Sequence, residues 1–177
     1  MNNQEKASII AKNIKLLILD VDGVLTDGGI YFDDNGTEHK KFDSQDGCGI
    51  KLLELSGIDV AIITARSTQS VAHRLDTLGV KNYYHGIRDK SVALKELSEK
   101  LSISLSESAF VGDDVIDLPA MSKVALPIAV ANAHSFVKEN ALMVTKNTGG
   151  SGAVREVCDF LLKSQNKYDA LMQSFLK

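Results

Sequence analysis

Two aspartates, Asp20 and Asp22, stand one residue apart directly after an apolar run, in LLILDVDGVLTDGG (16–29). Like charges this close repel, so folding gains nothing from the pair. Phosphoryl transfer uses both: one carboxylate attacks phosphorus and the other moves protons. Asp20, the first residue past the run, is the candidate nucleophile, and Asp22 is the candidate general acid and then general base. Gly23 permits the tight turn that separates the two roles. Phosphate monoesters are dianions, so attack by a carboxylate needs neutralisation by a divalent cation. Oxygen ligands and a phosphate partner suit Mg2+.

The remaining parts of such a pocket follow in order. Thr64 in IITAR offers a hydroxyl to the transferring group, and Lys90 in RDKSVAL offers a point charge. Asp113 and Asp114 after Gly112, with Asp117 beyond, offer further carboxylates for the metal. A threonine, a lysine and an acidic cluster around an aspartate make a phosphoryl-transfer pocket. Arg66, Ser70 and Arg74 recur every four residues, so a helix over 67–78 puts them on one face beside Thr64. Arginine holds a carboxylate through two parallel hydrogen bonds.

These residues need elements to carry them. Near-continuous apolar runs at 15–20, 59–65, 80–85, 108–113, 125–130 and 142–145 read as strands. Between them, helical periodicity covers 44–55, 67–78, 90–101 and 153–162, with a Ser67 cap and stops at Gly57 and Gly79. The polar continuation 163–177 is expected to fray or to dock on a partner. Alternating apolar strands and helices predict an α/β fold: a Rossmann-like parallel sheet with helices on both faces. Ligands of such sheets bind beyond the carboxyl ends of the strands, where Asp20, Thr64 and Asp113 all fall. The alternation breaks once, at 28–42, where two β-rich runs flank Asn35-Gly36. This predicts a β-hairpin with a two-residue turn, inserted after the first strand. No second domain, repeat or low-complexity segment is seen, so 1–177 reads as one domain.

With 177 residues, 44% of them hydrophobic, the chain can bury a real core. A net charge of −3 argues against a general nucleic-acid or anionic-membrane surface. No run reaches the length of a membrane span, and MNNQEKASIIAKNIK has no long apolar core, so neither an anchor nor a secretory leader is expected. Cys48 and Cys158 read as reduced thiols of a cytoplasmic protein, Cys48 as a packed thiol without a histidine partner. His39, His73, His85 and His134 lack ligand spacing.

DVDGV, then IIT, then a lone lysine, then VGDDVID, in that order, resembles the haloacid dehalogenase superfamily of phosphohydrolases. TDGGIYFDDNG, FDSQDGCGIK, ITARST, VGDDVIDLPAM and TGGSGAVREVC extend the resemblance to a branch without a cap domain. That branch dephosphorylates an eight-carbon sugar acid, 3-deoxy-D-manno-octulosonate 8-phosphate, on the route to lipopolysaccharide. The resemblance implies an aspartyl-phosphate intermediate on Asp20 and Mg2+ held by Asp20, Asp113 and the main-chain carbonyl of Asp22. It implies that Asp114 and Asp117 orient waters and Lys90, and that Thr64 and Lys90 hold the phosphoryl oxygens. The sugar acid would meet Asp22, Asp43, Ser44, Gln45, Asp46, Gly47, Lys51, Arg66, Arg74 and Lys90. It further implies a homotetramer joined by the hairpins, with the glycine-rich segment 148–152 of the C-terminal tail, about 147–177, over a neighbour's site.

Three other readings stay open at this level. A nine-carbon sugar acid phosphate would use the same phosphate machinery. A signalling receiver also has an acidic pocket, a threonine and a lysine, but there the acidic pair leads, whereas here it comes late. An inactive assembly module would lack one of the charged positions, and none is missing.

Overall fold

The structure, a computed structural model, describes residues 1–176. Six parallel strands form one sheet: β1 (Leu16–Leu19), β4 (Asp59–Ile63), β5 (Asn82–Tyr84), β6 (Ser108–Gly112), β7 (Leu126–Ala129) and β8 (Met143–Val144). Their order is β5-β4-β1-β6-β7-β8, so β1 lies between β4 and β6, with Leu16 opposite both Asp59 and Ser108. All four residues of β1 are buried, as a run covered on both faces requires. The chain builds outward from β1 to β5, then returns to β6 on the other side. That reversal opens a crevice at the carboxyl end of β1.

Helices cover the sheet. On one side α2 (Ser44–Leu55) packs along α7 (Ala153–Ser164), flanked by α1 (Asn3–Ala11) and α8 (Tyr168–Gln173). On the other, α4 (Lys90–Leu101) meets the short α5 (Leu118–Met121). α1, which the apolar pattern did not predict, is started by a reciprocal cap between Asn2 and Glu5, each bond 2.9 Å. α3 (Gln69–Leu78) begins two residues later than predicted. Thr68 rather than Ser67 precedes it, and no side chain caps it. Arg66 therefore lies before the helix, and only Ser70 and Arg74 share its face. The last segment docks on its own chain: Lys167 Nζ donates to the Ser56 carbonyl at 3.0 Å, and Leu171 and Met172 pack on the core.

The hairpin is present as β2 (Tyr31–Phe32) and β3 (Glu38–His39), with Tyr31 opposite His39. Its turn is longer than predicted. Asp33 and Thr37 still pair across the ladder, and Asp33 Oδ1 accepts the Asn35 and Thr37 N–H groups. Asn35-Gly36 thus ends a three-residue loop, with Gly36 in the left-handed region that such loops require. A bridge between Thr26 and Phe42 closes the base of the hairpin. No described helix is long and apolar enough to cross a membrane. Cys158 is buried and free as expected, but Cys48 is exposed rather than packed.

Candidate active site

Three neighbouring strands deliver the floor of the site. Asp20 follows β1 and stays in the ladder through its N–H to the Val111 carbonyl, 3.1 Å. Thr64 follows β4 and donates its N–H to Tyr84, 2.9 Å, while Asp113 follows β6. Lys90 opens α4, helped by Asp89, whose carboxylate caps the Ser91 N–H at 3.0 Å. The Lys90 side chain is fully buried, with Nζ 2.6 Å from Asp20 Oδ1 and 2.5 Å from Asp117 Oδ1. Asp117 uses its other oxygen to accept the N–H groups of Asp113, 2.9 Å, and Asp114, 3.3 Å. It thereby fixes both the lysine and the loop that carries Asp113. Asp114 itself is exposed and caps the Val115 N–H.

Charge on this floor is unbalanced. Carboxylate oxygens of Asp20, Asp113 and Asp117 lie within 4.8 Å of one another, and among the described residues Lys90 alone pairs with them. Burial and then the Asp117 charge push Asp20 up to about 7, although Lys90 pulls it down. Burial and then the Asp20 charge push Asp113 up to about 8. Burial disfavours the Lys90 ammonium, but Asp20 and Asp117 outweigh it and hold its pKa above the ordinary lysine value. Hard oxygen donors with surplus negative charge fit a small divalent cation.

The loop after Asp20 is packed backbone to backbone. Gly23 has φ +86°, and a Cβ there would lie 2.0 Å from Asp113 Oδ2. Thr26 Oγ1 accepts the Gly23 N–H at 3.2 Å and the Gly28 N–H at 3.3 Å. The glycine-rich segment covers this loop in the same chain. A Cβ on Gly149 would sit 1.7 Å from the Gly23 carbonyl oxygen, and the Gly150 N–H donates to Val24 at 3.0 Å. The sequence reading sent this segment to a neighbour's site; here it is stitched to its own.

The wall is carried by the hairpin and α2. Lys40 Nζ pairs with Asp22 Oδ1 and lies 2.9 Å from Glu38 Oε1. Glu38 Oε2 lies 2.6 Å from Arg66 Nη2. On α2, residues 43 and 47 share one stripe, which meets Arg74. Its Nη2 donates to the Asp43 carbonyl at 3.2 Å, its guanidinium lies over the Phe42 ring, and a Cβ on Gly47 would meet it at 2.4 Å. The Asp43 carboxylate is engaged in capping α2, accepting the Gln45 N–H at 2.7 Å. Lys51 is exposed.

Three predicted substrate contacts leave the crevice. Ser44 and Gln45 line a surface depression with Cys48, Arg155 and Asp159, because helical periodicity turns them toward α7. Asp46 is buried, and its Oδ1 accepts the Arg155 N–H at 2.7 Å, which caps α7 from another helix. Burial pushes its pKa up to about 6.

Sequence comparison agrees with this geometry. A family model described as haloacid dehalogenase-like hydrolase matches residues 85–158. The chain is 52% identical to the 3-deoxy-D-manno-octulosonate 8-phosphate phosphatase KdsC of Escherichia coli (strain K12), over 92% of this chain and 88% of that one. The Moraxella catarrhalis 3-deoxy-D-manno-octulosonate 8-phosphate phosphatase superposes with a TM-score of 0.94 at 44% identity, covering 97% of this chain and 98% of that one. Its crystal structure is a complex with magnesium, phosphate and KDO. The enzyme from Yersinia pestis superposes with a TM-score of 0.91 at 47% identity, covering 93% and 89%.

The chain belongs to the 3-deoxy-D-manno-octulosonate 8-phosphate phosphatase family of haloacid dehalogenase-like hydrolases.

For a member of this phosphatase family, two wall residues were missed from sequence. Glu38 and Lys40 stand two apart on one arm of the hairpin, a spacing that turns both to one face. That alternation was the available signal. Their target, Asp22, could not be read without knowing how the hairpin folds back.

Proposed function

We propose that this protein hydrolyses 3-deoxy-D-manno-octulosonate 8-phosphate to the free sugar acid and inorganic phosphate, in the cytoplasm, as a step of lipopolysaccharide synthesis. The observation that carries the reading is the buried Asp20–Lys90–Asp117 cluster at the carboxyl end of β1, with Asp113 beside it. Asp20 attacks the phosphorus, the bond from phosphorus to the sugar oxygen breaks, and Asp22 gives that oxygen its proton. Asp22 then takes a proton from water as the water oxygen attacks the aspartyl phosphorus. The bond to Asp20 breaks, releasing phosphate and restoring the Asp20 carboxylate and protonated Asp22.

The other groups would hold the phosphoryl oxygens. Thr64 Oγ1 accepts the Arg66 N–H at 3.3 Å, which leaves its own hydrogen to donate. Lys90 gives two of its three ammonium hydrogens to Asp20 and Asp117 and keeps one. Mg2+ held by Asp20, Asp113 and the Asp22 carbonyl would neutralise the incoming dianion. Arg74, packed on the first turn of α2, and Arg66 face the requirement for a carboxylate partner on the sugar acid.

Assembly as a homotetramer through the hairpins is part of this reading. It is supported by Ile30, Tyr31 and Phe32, apolar side chains that stand exposed together on β2 and just before it. The test is phosphate release from 3-deoxy-D-manno-octulosonate 8-phosphate, a nine-carbon sugar acid phosphate and a hexose phosphate, with Mg2+ and with EDTA. The expected result is metal-dependent turnover that favours the eight-carbon acid. Preference for another member replaces the substrate, and no release from any overturns the activity.

A further inference from the structure

A line of alternating charges runs through the hairpin, and no step above uses it. Its centre is Lys40, whose side chain is only 1% exposed. One partner is Asp22 Oδ1, and the other is Glu38 Oε1 at 2.9 Å. Glu38 continues through Oε2 to Arg66 Nη2 at 2.6 Å. The order is Asp22, Lys40, Glu38, Arg66: negative, positive, negative, positive. One end is the acid/base and the other is a guanidinium assigned to the sugar acid. A surface lysine would give up little by leaving its partners, but a buried ammonium depends on them. His39, between the two, points outward and is exposed.

We propose that Lys40 is a positioning residue for Asp22, and that Glu38 couples it to Arg66, so that the hairpin links proton transfer to capture of the substrate's carboxylate. The coupling rests on the sugar acid reading above. Pairing at Oδ1 fixes the Asp22 rotamer and leaves Oδ2 to serve the leaving oxygen and then water. A substrate carboxylate that binds Arg66 competes with Glu38. Glu38 then relies on Lys40 alone, and Lys40 loosens its hold on Asp22. Lys40 thus orients the acid/base in the free protein, and arrival of the sugar acid loosens that hold without ending it. A phosphate ester without a carboxylate leaves the clamp closed.

The test uses two substrates, the eight-carbon sugar acid phosphate and p-nitrophenyl phosphate, which has no carboxylate. p-Nitrophenolate departs without needing a proton, so its first turnover reports attack by Asp20. Its steady rate reports hydrolysis, which needs Asp22. Lys40→Met is expected to give a burst of nitrophenolate equal to the enzyme, then a steady rate lowered about tenfold or more. Lys40→Arg should recover most of that rate. If both phases fall together and Lys40→Arg does not recover, Lys40 only supports the fold and the proposal is overturned. Should Lys40→Met fail to fold, Glu38→Gln carries the same burst measurement.

The coupling is read from a double-mutant cycle of Lys40→Met and Arg66→Met. Their effects on the steady rate should depart from the simple product by about fivefold or more on p-nitrophenyl phosphate, where Arg66 still holds Glu38, and come closer to it on the sugar acid, whose carboxylate occupies Arg66. Simple multiplication on p-nitrophenyl phosphate removes the relay. The burst is measured on p-nitrophenyl phosphate alone, so loss of the sugar acid as substrate and loss of the Lys40 role are separate results.

Discussion

The floor of the site and its hairpin wall hold charge in different ways. On the floor, Asp20, Lys90 and Asp117 are buried: Asp20 follows β1, Lys90 is the first residue of a 12-residue helix, and Asp117 ends the short turn that follows β6. The core fixes them whether or not anything is bound. The hairpin has strands of two residues each and exposes Phe32 to 63%. It is held down by the Thr26–Phe42 bridge and by the ion pairs of Lys40 and Glu38. In the proposed roles, phosphoryl chemistry rests on parts that cannot move without unfolding the sheet, and recognition rests on a part whose position depends on a few charges.

The largest test of that contrast is Asp20→Asn. Phosphate release should fall by more than about a thousandfold, since an amide in place of the carboxylate cannot form the acyl phosphate. The thermal midpoint should hold or rise, because a buried charge beside Asp117 is gone. Activity within tenfold of the parent would break the assignment of the floor. Next comes Lys90→Met, which strands two buried carboxylates and should cost about 3–5 kcal/mol in chemical denaturation. Arg66→Met, on a wall side chain 42% exposed, should cost no more than about 1 kcal/mol in the same assay. Equal costs would erase the distinction between floor and wall.

Gly149→Ala tests the seam between the glycine-rich segment and the Asp20 loop. Its Cβ has no room at 1.7 Å from the Gly23 carbonyl, so stability should drop by about 1–3 kcal/mol and Mg2+ affinity should drop with it. The floor also predicts a pH dependence. Asp20 and Asp113 are raised to about 7 and about 8, so below those values protons compete with the cation. Mg2+ affinity measured by calorimetry should weaken about tenfold or more from pH ~8.5 to pH ~6.5. A raised carboxylate pKa means that the folded chain binds the proton more tightly than the unfolded one. The metal-free protein should accordingly lose stability as pH rises from about 4 through about 8, and Mg2+ should restore it at the upper end. The smallest effect is expected at Phe32→Ser. The fold should change by no more than about 0.5 kcal/mol, while the proposed hairpin-joined assembly should give way to a smaller particle in light scattering.

Much of the floor was legible because its parts obey local rules. β1 is a run buried on both faces, so its end marks the crevice, and Asp20, Thr64 and Asp113 follow three such runs. Lys90 was legible as the first residue of a strong helical pattern. The wall was harder to read. Asp46 has the same charge and neighbourhood as Asp43, yet it serves α7, a choice made by a helix more than a hundred residues away along the chain. Ser44 and Gln45 were grouped with Gly47 by nearness in sequence, whereas a helix separates them by direction. Lys40 and Glu38 carry no motif; only the fold-back of the hairpin gives them partners. The longer turn at Asp33–Thr37 was concealed by an Asn-Gly pair that suits two turn types.

The seam at Gly149 and Gly150 also sets an order of events during synthesis. The ribosome makes Asp20 early, but β1 lacks both neighbours until residues 59–63 and 108–112 have emerged. The loop after Asp20 then waits longer still, for a segment made after β8. A nascent chain thus holds Asp20 long before it holds a site. Closure is a late, long-range event of the kind that slows folding. A chain that stops short of Gly149 would lose α7 as well, leaving one face of the sheet uncovered and the loop after Asp20 unsealed.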